Sequence, residues 1–191
     1  MKRDRPGVGR RRILEGGIGL GLGLCLAPCV AIGQSDPASM QPKEGDFLVK
    51  GDKSSLQPLT PADVPLNAAP TSAWAMDPAA STVRSGSRLN ALILLRFPPA
   101  RLSARSQSRA ADGVVAYTAI CTHNGCDVDD WLADRFVLSC SCHESEFDPR
   151  DAARVVDGPA PRALPALPLK IVDGTLVVAR PFTAPVGFER G

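Results

Sequence analysis

The chain has 191 residues, 44% of them hydrophobic, 22% charged and only 5% aromatic, with a formal net charge of +2. Six basic and two acidic residues lie in the first 33, which leaves 16 against 18 in the remainder and no basic stripe, and this argues against nucleic acid as a partner. Eighteen prolines and seventeen glycines point to short strands and many turns and away from long helices.

Residues 1–33 contain Arg10-Arg11-Arg12-Ile13-Leu14, followed by a glycine-rich apolar stretch from Gly16 to Gly33. A twin arginine ahead of a weakly hydrophobic run resembles a twin-arginine export signal, with Ala31 and Gly33 as small residues before a cut at Gln34. A retained membrane anchor is the other reading, because the run at ~1.5 Å rise reaches ~27 Å, close to the ~30 Å hydrocarbon core. Cys25 and Cys29 follow Leu24 and Pro28, where a lipoprotein site needs a small residue, so they read as apolar filler.

Residues 34–45 are polar and read as a linker. Strands are expected at 46–50, 91–97, 113–118, 135–139, 167–172 and 175–179, the last two joined by Asp173-Gly174, a strong two-residue hairpin signal. Residues 57–87 are proline-rich and aperiodic, and predict an extended loop with one turn near Pro61-Ala62-Asp63. The runs Arg101 to Arg109 and Asp127 to Asp130 read as solvated loops, with Asp127, Asp129 and Asp130 placed to steer a cationic partner. Trp74, Trp131 and Phe188 read as packing residues. Several short strands without a long amphipathic helix give an all-β domain over 46–191, large enough for one core.

Both histidines and four of the six cysteines fall between Cys121 and His143, as Cys121-Thr122-His123-Asn124-Gly125-Cys126 and Cys140-Ser141-Cys142-His143. One isolated cysteine would read as a buried thiol, but six such residues together read as a binding site. Cys121 with His123 and Cys140 with His143 offer two mixed ligand pairs, and two thiolates with two imidazoles suit either tetrahedral zinc or a two-iron cluster. Structural zinc sites usually pair like with like on each loop, and zinc leaves Cys126 and Cys142 without a role.

These two motifs, with the following Ser145, resemble those of the Rieske iron–sulfur proteins of cytochrome bc complexes. Gly158-Pro159-Ala160-Pro161, followed by Leu164-Pro165, is similar to the proline loop that shields the cluster in that family, and the likeness spans residues 114 to about 180. The resemblance implies an antiparallel β-barrel or sandwich with a small cluster-binding subdomain at about 119–162. It implies one [2Fe–2S] cluster per chain, with Cys121 and Cys140 on one iron, His123 and His143 on the other, and a Cys126–Cys142 disulfide. High-potential members read His-Gly-Ser-x-Tyr where this chain has His143-Glu144-Ser145-Glu146-Phe147. The serine that bonds a bridging sulfide is thus kept and the phenol lost, so a lower potential is expected, with Glu144 and Glu146 adding negative charge. Asn124 stands where quinol-oxidising members usually carry leucine over the cluster.

Two thiolates exchanged for two neutral imidazoles make a cluster easier to reduce than an all-cysteine one. Export and a disulfide agree with each other, since such a bond persists in an oxidising periplasm. No nucleophile with an adjacent base, phosphate-cradling loop or second metal site is evident. The chain therefore reads as a one-electron carrier inside a larger oxidoreductase, not catalytic alone. By resemblance its partners are a cytochrome b/c assembly with quinol, or a periplasmic molybdopterin oxidase similar to arsenite oxidase, with membrane contact through residues 16–33 if the leader is retained.

Overall fold

The computed structural model describes residues 36–188; the leader and its export or anchor signals lie outside them. Its strands are β1 (Phe47–Lys50), β2 (Thr71–Asp77), β3 (Thr82–Val83), β4 (Leu92–Arg96), β5 (Val114–Thr118), β6 (Asp130–Leu132), β7 (Val137–Cys140), β8 (Ser145–Asp148), β9 (Arg154–Asp157), β10 (Leu169–Val172) and β11 (Thr175–Val178). The fold is all-β, as composition and spacing predict, and no helix among the described residues is long and apolar enough to cross a membrane.

The larger sheet runs β10-β11-β1-β2-β4-β5, with β3 added on β2, and all its pairs are antiparallel. Beyond β5 it curls. The Thr118 N–H donates to the Pro165 carbonyl at 3.0 Å and the Leu167 N–H to that of Ala116 at 2.9 Å, so the segment leading into β10 lies along the free edge of β5. The β10–β11 turn is the two-residue loop the sequence predicts: Val172 pairs with Thr175, and Asp173 (φ 48°) and Gly174 (φ 78°) take the two left-handed positions of such a turn. A second, four-stranded antiparallel sheet, β6-β7-β8-β9, carries the second cysteine motif.

The apolar run from Ala91 to Phe97 has a structural reason. Leu92 and Leu94 of β4, with Val114 and Ala116 of β5, face a core shared with Leu48, Leu169, Leu176 and Val178. Their neighbours Ile93, Leu95, Val115 and Tyr117 face the other way, into a core shared with Leu138, Phe147 and Leu164. A strand buried on both faces loses the polar alternation of a half-exposed one. These two strands are therefore the wall between the barrel core and the cluster-bearing sheet.

The expectation of an extended loop over 57–87 is overturned. Pro61–Asp63 does form a short 3-10 turn, but Thr71–Asp77 is the seven-residue strand β2, hydrogen-bonded to β1, β3 and β4. Its buried face includes Ala73 and Ala75, small residues of low strand propensity that pair with Leu92 and Leu48 in a shared core, so packing rather than composition selects the strand. Arg84, 1% exposed, anchors the ends of this region: it donates to the fully buried Asp46 at 2.5 and 3.0 Å and to Asp77 at 3.2 Å. The Arg101–Arg109 run is likewise more than a solvated loop, because Ala104–Gln107 makes a helical turn, α1, whose Ser106 is buried and accepts from the Ala152 N–H at 2.8 Å.

Candidate metal centre

Two loops of like construction meet at one end of the domain. In the first, after β5, the Gly125 N–H donates to the Cys121 carbonyl at 3.1 Å, and the Cys121 N–H to that of Cys126 at 2.8 Å. In the second, between β7 and β8, the Glu144 N–H donates to the Cys140 carbonyl at 2.9 Å. Each turn thus closes from the cysteine carbonyl to the residue four further on, and that residue has positive φ in both: 75° at Gly125 and 57° at Glu144. Glycine adopts that conformation freely; glutamate pays about 1 kcal/mol or more. Each turn carries a histidine two or three residues after its buried cysteine.

Cys121 and Cys140 are both buried and outside any disulfide. Cys126 and Cys142 are disulfide-bonded, with Cα atoms 6.5 Å apart, and join the two loops covalently. The Cys126, Cys140 and Cys142 sulfurs lie within 4.8 Å of one another, but the covalent bond leaves only Cys140 of the three as a ligand thiol. His123 and His143 approach edge to face, with ring centroids 4.7 Å apart. His123 is half-buried and its Nδ1 is buried without a hydrogen-bond partner, whereas His143 is exposed.

The donor chemistry tests what this end of the domain can hold. Burial pushes the Cys140 thiol up to about 11, the adjacent Cys121 thiol pushes it the same way, and the Cys142 N–H opposes them. The buried Cys140 thiol does not ionise readily without a cation, and a buried ring nitrogen is not left bare without cost. Cys121 and Cys140 would meet iron as thiolates, and His123 and His143 would offer it their ring nitrogens. The residues present therefore fit a [2Fe–2S] cluster.

Further contacts fix the loops. Thr122 Oγ1 donates to the Arg162 carbonyl at 2.6 Å, and the Ala160 N–H donates to Ser145 Oγ at 3.2 Å, so the segment 158–162 straps one loop to the other. Ser145 is fully buried opposite Cys140, and its role as acceptor leaves the hydroxyl proton free to be donated. Gly158 (φ 82°) passes so close to the second loop that a Cβ there would stand 2.5 Å from the Glu144 carbonyl oxygen and the Ser145 Cα. Gly158, Pro159 and Pro161 are exposed at this tip, and Asn124 is exposed on the first loop. Phe147 is fully buried in the core behind the loops.

Sequence reasoning missed several of these ties. Asp129, read as solvated, accepts from the Ser141 N–H at 3.1 Å and hydroxyl at 2.8 Å, which holds its carboxyl below the ordinary range. Asp127 pairs with Arg88, which also donates to the Gly125 carbonyl at 2.7 Å. Glu146 is not a bare charge: Arg135 donates to both its oxygens, at 2.8 and 2.5 Å. At the C-terminal end, Arg162 holds the Pro185 and Gly187 carbonyls, at 2.9 and 2.7 Å, and the Phe188 ring lies over Gly125, within 3.0 Å of where its Cβ would be. Charge spacing along the chain does not reveal pairs of this kind; only the Gly-Pro-Ala-Pro run signalled a strap.

Two cysteines and two histidines converging on joined, strapped loops define an iron–sulfur carrier. Residues 102–168 match the family model described as the Rieske [2Fe-2S] domain, and a match to that domain implies a [2Fe–2S] cluster of the Rieske type. Among curated proteins it is 39% identical over 106 residues to a cytochrome bc1 complex Rieske iron-sulfur subunit of Streptomyces lividans, covering 53% of this chain and 62% of that one. It is 45% identical over 76 residues to the Rieske subunit named for a respiratory nitrate reductase of Haloferax mediterranei, covering 39% of this chain and 34% of the relative. The chain thus spans less than two thirds of the length of these relatives. Among solved structures it is similar to the soluble domain of Rieske protein II from Sulfolobus acidocaldarius, at 23% identity and a TM-score of 0.40, over 53% of this chain and 66% of that one.

Proposed function

We propose that this chain is the iron–sulfur subunit of a bc-type quinol–cytochrome c oxidoreductase, passing single electrons from quinol toward a cytochrome. One observation carries the reading: two buried thiols and two imidazoles meet on disulfide-joined loops, one imidazole with an unpartnered buried nitrogen and the other exposed to a partner. The relatives named as bc1 Rieske subunits support it. In this reading Cys121 and Cys140 hold one iron and His123 and His143 the other. When bound, the cluster supplies reversible one-electron storage. The chain's own residues do the rest. The disulfide and the 158–162 strap keep the loops aligned, Ser145 offers a hydroxyl proton to sulfur, and His143 presents its ring edge to the quinol or the acceptor.

The twin-arginine-like leader is part of the proposal: it would export the folded domain to the periplasmic side, there either anchored through residues 16–33 or released. A second reading, an electron-relay subunit of a periplasmic molybdenum oxidase similar to arsenite oxidase, is favoured by Phe147 in the place of the family's tyrosine.

The purified protein should be red-brown and give a rhombic EPR signal on reduction. Cys121→Ser, Cys140→Ser, His123→Ala and His143→Ala should each abolish that signal while far-ultraviolet circular dichroism persists. A colourless wild-type protein containing zinc would overturn the ligand assignment. Isolation of the native assembly separates the two complexes, a b-type haem spectrum supporting the first and bound molybdopterin the second.

A further inference from the structure

Nearly every described arginine is engaged. Arg84, Arg88, Arg96, Arg135, Arg150 and Arg154 each pair with a carboxylate. Arg101 stacks on the Phe136 ring at 4.9 Å, and Arg162 holds backbone carbonyls. Arg105, Arg109 and Arg180 have none of these side-chain contacts among the described residues; Arg105 and Arg109 lie in one run, Arg180 follows β11, and the recesses they line share Arg109. A cavity of about 230 Å³ is lined by Arg105, Arg109 and Arg162 over an apolar floor that includes Leu164 and Pro165. A second, of about 340 Å³, is lined by Arg109, Arg180 and Phe182. Arg109 and Thr183 belong to both, so the two form one trench, and no acidic residue among the described ones lines either.

We propose that this trench docks an acidic segment of a partner protein, two or more carboxylates seating on the guanidinium groups and an apolar side chain on the floor between them. The body of the chain carries 16 basic and 18 acidic residues, so three cations that pair with no carboxylate among the described residues forgo local pairing that an outside anion would restore. Guanidinium forks match carboxylates two bonds at a time. The shape favours a polypeptide: the cations rim recesses with an apolar floor, which side chains can enter and a flat lipid surface cannot. The spread favours it over a small free oxyanion, because Arg105 lines only the first cavity and Arg180 only the second. The inference goes beyond the electron-transfer reading, since it gives the domain a handhold formed by α1 and the segments around β10 and β11, in addition to the histidine tip.

The test is fluorescence anisotropy of a fluorescein-labelled hexaglutamate peptide with the full-length, cluster-loaded protein at low salt. Wild type should bind, and R105Q/R109Q/R180Q should bind at least about tenfold more weakly, while R154Q, whose native arginine already pairs with Asp151, should bind as wild type does. The visible spectrum of the same samples reports the cluster separately, so loss of peptide binding with the spectrum intact is distinguishable from failure of the Rieske reading. The proposal is overturned if wild type does not bind the peptide, or if the triple variant binds it equally. Two further results overturn it: binding of phosphatidylglycerol vesicles in place of the peptide, or full displacement of the peptide by inorganic phosphate at an equal concentration of anionic groups.

Discussion

Substituting Gly158 tests whether the proline strap positions the second loop. Its φ of +82° is costly for any residue with a Cβ, at about 1–2 kcal/mol. The new Cβ would also stand 2.5 Å from both the Glu144 carbonyl oxygen and the Ser145 Cα, where ordinary contact begins at 3.4 Å, so backbone must retreat by nearly an ångström. Neither atom is a flexible side-chain tip that could rotate away, and overpacking of this kind adds about 1–3 kcal/mol. Gly158→Ala should therefore destabilise by about 2–5 kcal/mol. Gly174→Ala is the control: φ there is +78°, and nothing lies within 4 Å of the added carbon, so only the backbone cost of about 1–2 kcal/mol applies. Urea unfolding of both variants gives the difference, and the EPR line shape of the reduced cluster reports whether Ser145 has moved. If Gly158→Ala matched Gly174→Ala within about 0.5 kcal/mol and left the spectrum unchanged, the strap would not hold the loop.

Cys126→Ser should cost up to about 3 kcal/mol of stability, from a bond that closes a sequence separation of 16, and should speed cluster loss to a chelator; an unchanged visible spectrum and bleaching rate would make the bond incidental. Arg84→Met should cost about 3–5 kcal/mol by stranding Asp46 uncompensated in the interior, and R84M/D46L should recover much of it; urea unfolding checks both, and a loss below about 1 kcal/mol for the single change would refute the network's role. Asp63 is held below the ordinary carboxylate range by the Thr60 N–H and hydroxyl, so its contribution is present above about pH 4 and is lost as pH falls through its lowered folded value. Asp63→Asn should accordingly be less stable than wild type at pH 7, with the gap closing in acid; a gap independent of pH would contradict this. Glu144→Gln should raise the midpoint potential on the order of 20 mV and Glu146→Gln by less, because Arg135 already offsets Glu146; voltammetry giving equal shifts would exclude that distinction.

The cysteine and histidine content made the chemistry legible, because few roles use two thiols and two imidazoles so close in sequence. Strands with strong chemical signatures were legible too: the β-branched run of β5, the doubly buried β4 and the Asp173-Gly174 hairpin all lie where spacing predicts them. What stayed hidden was decided by partners far along the chain. β2 carries alanines that make sense only opposite Leu48 and Leu92. β8 and β9, as Ser-Glu-Phe-Asp and Arg-Val-Val-Asp, are half charged and become strands because Arg135 and the turn after Asp148 tie up those charges. The Thr122–Arg162 and Asp129–Ser141 bonds join residues 40 and 12 apart, and no local pattern marks either.

The placement of the wall strands explains why the two sheets work as one device. β5 runs directly into the first loop, and Tyr117, fully buried on its outer face, donates to the Pro149 carbonyl at 2.7 Å, at the end of the strand that leaves the second loop. β4 and β5 therefore set the height of both loops, one by chain continuity and the other by a buried hydrogen bond across 32 residues. The loops reach out from that wall to place two histidines at the tip, where the disulfide and the Asp129–Ser141 bonds tie loop to loop while Thr122 to Arg162 and Ser145 to Ala160 run to the strap. Such an arrangement keeps donor positions fixed as charge comes and goes, which is what electron transfer with little reorganisation requires of a protein scaffold.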